Sequence, residues 1–140
     1  GTDGRAYVLA DRTVRGREPH GWACAAVAAY HEFEADRIVA EVNQGGELVL
    51  EVIRGVEAGV PVKMVRANRG KWLRAEPAAA LYQQGQVAHV GIHAELEQQM
   101  CNFGADGLSL GRSPDRLDAL VWALAELRPG RPGRPTVRTV

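Results

Sequence analysis

A chain of 140 residues, 46% of them hydrophobic, is one domain's worth and can bury a core without disulfide or metal staples. Seventeen basic residues balance seventeen acidic ones, so no global field draws the protein to nucleic acid or membrane, and polyanion binding would need a local patch. No apolar run approaches the ~20 residues of a membrane span, and no signal peptide is visible.

In chain order, residues 6–15, AYVLADRTVR, follow the turn-forming Gly1–Gly4 stretch and predict a strand. Residues 20–35 predict a helix, with Trp22, Ala26, Ala29, Tyr30 and Phe33 near helical spacing. Residues 37–43 predict a short strand, 47–59 a second helix stopped by Gly59, and 60–67 another strand. Residues 71–84 predict a third helix, ended by Gly85, in which Pro77 implies a kink or a late start. A short strand at 86–91, a helix at 93–103 and a Gly-rich loop at 104–112 come next. Ser113-Pro114 then opens a last helix to about Leu127, with the serine hydroxyl as cap. The final stretch, RPGRPGRPTVRTV at 128–140, cannot form a core and reads as a flexible tail. Strands alternating with helices argue for an α/β domain with a partly parallel sheet.

Three groups of residues could carry chemistry. Glu41 ends an apolar run just before Gly45 and Gly46, at the strand terminus where open α/β sheets place ligands. A solvated strand-end carboxylate, or one accepting a loop N–H, would look the same. Asp115 and Asp118 stand three apart at a helix start, on one face. They could simply complement the helix dipole. Yet Leu117, Leu120, Val121 and Leu124 make this helix substantially buried, and an acid near its apolar side needs a partner, for which a metal ion is a good candidate. Carboxylates suit Mg²⁺ or Mn²⁺, and two such ions about 3.5–4 Å apart can drive phosphodiester cleavage. The third group is Lys63, Arg66, Arg69, Lys71 and Arg74, with Trp72 among them and no acid between Glu57 and Glu76. These can contact phosphates, or form a solvated face over a packed Trp72. His20, His31, His89 and His93 read as scattered, which disfavours zinc, and His93 precedes a helix as a cap or surface residue. Cys24 and Cys101 are far apart and in no ligand spacing, which fits a reducing compartment better than a disulfide scaffold.

The blocks RIVAEVNQGGELV, VPVKMVRANRGKWLRAEPAAALYQQGQVAHVG, LEQQMCNF and SPDRLDALVWALAEL, in that order, resemble the C-terminal nuclease domain of the large terminase of tailed phages, prophages and gene transfer agents. The resemblance covers nearly all of residues 1–127. It implies a ribonuclease H-like fold, a mixed central sheet flanked by helices, and a Mg²⁺- or Mn²⁺-dependent endonuclease that cuts concatemeric double-stranded DNA through two metal ions. Carried over by position, Glu41, Asp115 and Asp118 are its catalytic, metal-binding acids. Lys63, Arg66, Arg69, Lys71 and Arg74 are the expected DNA contacts. The implied partners are double-stranded DNA, the terminase ATPase domain, the small terminase and the portal protein, in the cytoplasm of a bacterial host.

The pattern expects two further strands, the first ending in an Asp, before AYVLADRTV. Neither precedes it in this sequence, and no Walker motif is present. The reading therefore predicts weak cleavage or none from the chain alone. It also predicts that strand 6–15 pairs with strand 37–43, pairs with another copy in a strand-mediated homodimer, or loses order. A non-catalytic DNA-binding or docking module is the alternative function, and a resolvase-like nuclease outside packaging is a third.

Overall fold

A computed structural model of the chain describes residues 2–16, 18–42 and 46–127; the expected tail at 128–140 lies outside them. The elements are β1 (Ala6–Val8), α1 (Pro19–Glu32), β2 (Ile38–Glu41), α2 (Gly46–Val56), β3 (Val62–Val65), α3 (Lys71–Gln83), β4 (Val87–His89), α4 (Ala94–Cys101) and α5 (Asp115–Leu127). They form two compact units, one of Asp11–Gly70 and the other of the described residues of Gly1–Ala10 and Lys71–Val140.

In the Asp11–Gly70 unit, β2 and β3 pair in parallel, Ile38 opposite Val62 and Glu41 opposite Val65. A parallel pair cannot be closed by a hairpin, and α2 makes the crossover. Side chains alternate along each strand, so Ile38, Ala40, Val62 and Met64 share one face, and Val39, Glu41, Lys63 and Val65 the other. Ile38 and Val62 pack on a core of Ala23, Val27, Ile53 and Val60 from α1, α2 and the turn before β3. Glu41 and Lys63 therefore lie on the face turned away from that core. Helix α1 opens with Pro19 at its first turn, where a missing N–H is harmless.

In the other unit, β1 and β4 pair in parallel, Ala6 opposite Val87 and Val8 opposite His89. Ala6, Ala78, Val87, Leu96, Leu117, Leu120, Val121 and Leu124 form the core, with α5 packed against both α3 and α4. Helix α3 begins at Lys71 and runs through Pro77, so the proline marks no late start. Gly85 ends it at φ +65°, with Gly85 N–H bonded to Tyr82 C=O and Gln86 N–H to Leu81 C=O. This paired closure needs a left-handed residue, which glycine supplies without steric cost.

Four expectations are corrected. Strand β1 covers only Ala6–Val8, because the Asp11 carboxylate turns back to accept the Thr13 N–H at 3.0 Å, competing with extended pairing. Within the chain it pairs with β4 and not with the strand at 37–43, which pairs with β3 instead. In place of one mixed central sheet, the described strands form two parallel pairs. Helix α2 stops at Val56, ahead of Gly59.

Candidate functional site

Glu41 is the last residue of β2, half-buried, and Val42 after it is fully packed. Gly46, the first residue of α2, is buried against Val42. A Cβ at Gly46 would stand 2.6 Å from Val42 Cβ, closer than real side chains come. This glycine is thus required by the close approach of α2 to the strand exit. Gly45 lies outside the described residues.

Asp115 and Asp118 lie at the start of α5 in the other unit, and each acid is described within its own unit. Asp118 is largely buried, and its partners are two cations of α3. Oδ2 forms an ion pair with Lys71 Nζ, and Oδ1 accepts from Arg74 Nη2 at 3.2 Å. Arg74 also lies under the Trp122 ring, its guanidinium carbon 5.0 Å from the ring centroid. Lys71 donates further to Ser113 Oγ at 2.9 Å, and Ser113 donates to Asp115 Oδ1 at 2.5 Å. Ser113 therefore joins the acidic network, while another side chain caps the helix. Gln99 of α4 accepts the Arg116 N–H at 3.0 Å and the Leu117 N–H at 3.2 Å through Oε1. Arg116 pairs with Glu95, a second tie between α5 and α4.

The structure thus brings Asp115 and Asp118 together with Lys71, Arg74 and Ser113. A divalent cation does not fit this donor set as it stands. Both Asp118 oxygens are engaged by positive charge, and among the described residues no three His, Cys, Asp or Glu side chains gather to hold a metal. Of the five expected DNA contacts, Lys63, Arg66 and Arg69 are exposed in the Asp11–Gly70 unit, Lys71 is partly exposed, and Arg74 is buried beneath Asp118 and Trp122. Trp72 stacks on Phe103 with ring centroids 5.5 Å apart and stays 40% exposed, so it is both packed and presented.

One cluster was not anticipated. Tyr82 at the end of α3, His89 at the end of β4 and Glu97 on α4 form a chain of hydrogen bonds. Tyr82 Oη lies 2.7 Å from His89 Nε2, and His89 Nδ1 lies 2.9 Å from Glu97 Oε1. An ionised carboxylate only accepts, so Nδ1 carries the proton and Nε2 receives the Tyr82 hydroxyl when the ring is neutral. Glu97 also accepts the His93 N–H at 3.2 Å. These bonds, from His89 first and His93 second, hold the Glu97 carboxyl below the usual glutamate value. Burial, helped by the Glu97 charge, pushes the Tyr82 hydroxyl up to about 12. His93 takes the N-cap position of α4, as expected, without a side-chain capping bond. The sign in the sequence is HVGIH followed by Glu97, an H-x-x-x-H spacing, so His89 and His93 are not scattered; their rings lie 5.4 Å apart.

No helix among the described residues is long and apolar enough to cross a membrane. The chain shows no significant match to a curated protein or a solved structure. The sequence model of the terminase RNaseH-like domain matches residues 1–127, all the described elements included. That match spans far more than half the chain, so the chain belongs to the terminase RNaseH-like domain family.

Proposed function

We propose that this chain is the endonuclease domain of a large terminase, which cuts concatemeric double-stranded DNA during packaging. The observation that carries the reading is the family match over residues 1–127, which includes both the strand-end Glu41 and the acids that open α5. The reaction class is phosphodiester hydrolysis: water adds at phosphorus and one P–O ester bond breaks. The proposed cofactor is Mg²⁺ or Mn²⁺, which would activate that water and stabilise the leaving oxygen. Glu41, Asp115 and Asp118 are its proposed ligands, although Asp118 stands committed to Lys71 and Arg74. Lys63, Arg66 and Arg69, exposed on and just after β3, would hold backbone phosphates and set the register of the duplex. The terminase ATPase domain, the small terminase and the portal protein are the proposed partners, and a bacterial host's cytoplasm the proposed location.

The commitment of Asp118 favours a second reading, a non-catalytic DNA-binding or docking module built on the same fold. One preparation separates the two. Supercoiled plasmid is incubated with the 140-residue chain and Mn²⁺, and duplex binding is followed by fluorescence anisotropy. Mn²⁺-dependent linearisation that is lost in Glu41→Gln and Asp115→Asn supports the nuclease. Binding without cleavage supports the module. In either case, neutralising Lys63, Arg66 and Arg69 together should lower the salt slope of binding by about three. Neither cleavage nor binding would overturn both.

A further inference from the structure

As a metal ligand, Asp118 would need a carboxylate oxygen open to the ion, yet in the folded chain one oxygen faces Lys71 and the other Arg74. The two cations are not equivalent. The Arg74 side chain is only 9% exposed, sits within α3 and is covered by Trp122, so burial holds it in place. Lys71 is the first residue of α3, and its side chain is 32% exposed. Its ammonium is a compact charge on a flexible stem that can swing into water without unfolding anything. That ammonium also reaches both acids of α5: Asp118 directly, and Asp115 through the Ser113 hydroxyl.

Resting on the reading of Asp118 as a metal-facing acid, we propose that Lys71 is the resident counter-ion of the α5 acids, and that a divalent cation reaches Asp118 only by displacing it. The electrostatics follow from the charges in place. Two carboxylates, Asp115 and Asp118, are matched by Lys71 and Arg74, so an arriving cation meets no net attraction and is repelled by an ammonium at close range. Removing the Lys71 charge leaves one net negative charge at the start of α5. Lys71 in this role is a positioning residue: it acts through Asp118, and its effect is on metal affinity.

The test is Mn²⁺ binding to the intact chain by isothermal titration calorimetry, without DNA. The set is wild type, Lys71→Met, Lys71→Gln, Asp118→Asn and Lys71→Met with Asp118→Asn. Far-UV circular dichroism and thermal midpoints check folding, and two neutral replacements guard against the failure of one. Both Lys71 variants should bind Mn²⁺ about 10-fold or more tightly than wild type, because a like charge beside the site is gone. In the Asp118→Asn background the same change should alter affinity less than about twofold, since the carboxylate that Lys71 screens is missing. Equal affinity in wild type and both Lys71 variants overturns the proposal. If that common affinity is then lost in Asp118→Asn, Asp118 is still a ligand and the nuclease reading survives. If Asp118→Asn binds as wild type does, or nothing binds, Asp118 is no ligand and that reading falls as well.

Discussion

Arg74 Nη2 of α3 stands 3.2 Å from Asp118 Oδ1 of α5, and both side chains are largely buried. A buried charge that loses its partner keeps its desolvation cost, whereas a half-exposed one is rescued by water. Arg74→Met should therefore destabilise the protein by about 2–4 kcal/mol in urea unfolding, a little below the range for a fully buried pair. Lys71→Met, which leaves Asp118 its Arg74 partner, should cost less than about 1 kcal/mol. Equal losses would mean that Lys71 is as fixed as Arg74.

Two glycines of α2 should respond in opposite ways to alanine. At Gly46 the new methyl would meet Val42 Cβ at 2.6 Å and Cγ2 at 2.9 Å, so strand exit and helix must separate. Gly46→Ala should cost about 1–3 kcal/mol, the usual range for overpacking. At Gly55 nothing lies within 4 Å of the added methyl. There the change should stabilise by roughly 0.5–1 kcal/mol through helix propensity and a less free unfolded chain. Thermal or urea midpoints of the two variants decide it.

Gln99→Ala should uncap α5 from a neighbouring helix. Two N–H groups in its first turn, those of Arg116 and Leu117, would lose their acceptor. The expected cost is about 0.5–2 kcal/mol, as for an ordinary cap. Gln98→Ala, on the exposed side of α4, should stay within about 0.5 kcal/mol of wild type. Urea midpoints of both variants provide the comparison.

The Tyr82–His89–Glu97 chain predicts two pH limits. The Glu97 carboxyl is held below its ordinary value of 4.5 by the His89 bond, so the unfolded state binds its proton first as pH falls. Its stabilisation is complete above that ordinary value and is lost as pH drops through the lowered one. Glu97→Gln should therefore flatten the acid limb of stability against pH. Tyr82 is pushed from 10.0 up to about 12 by burial, so its contribution is complete below 10 and declines as pH rises toward 12. Tyr82→Phe should flatten that alkaline limb. Urea midpoints from pH 3 to 11 measure both, and unchanged limbs would show that these groups titrate alike in the folded and unfolded states.

By itself the sequence determined which segments are helices and strands. Periodicity, the Gly85 stop and proline at helix starts are local effects, and α1, α3 and α5 form within a few residues of their expected ends. It also determined the family, because a match to a family's sequence model is made along the linear chain and needs no fold. Only the tertiary structure decided who meets whom. Strand β1 pairs with β4 across about eighty residues, since hydrogen-bond partners in a parallel pair are chosen by chain path and not by local composition. The cap of α5 comes from Gln99 instead of the adjacent Ser113, because α4 packs beside that helix start and carries an acceptor within reach. Asp118 was legible as an acid in need of a partner, but the partner was not. Lys71 and Arg74 lie more than forty residues away in sequence, and only the packing of α3 on α5 brings their charges to its carboxylate.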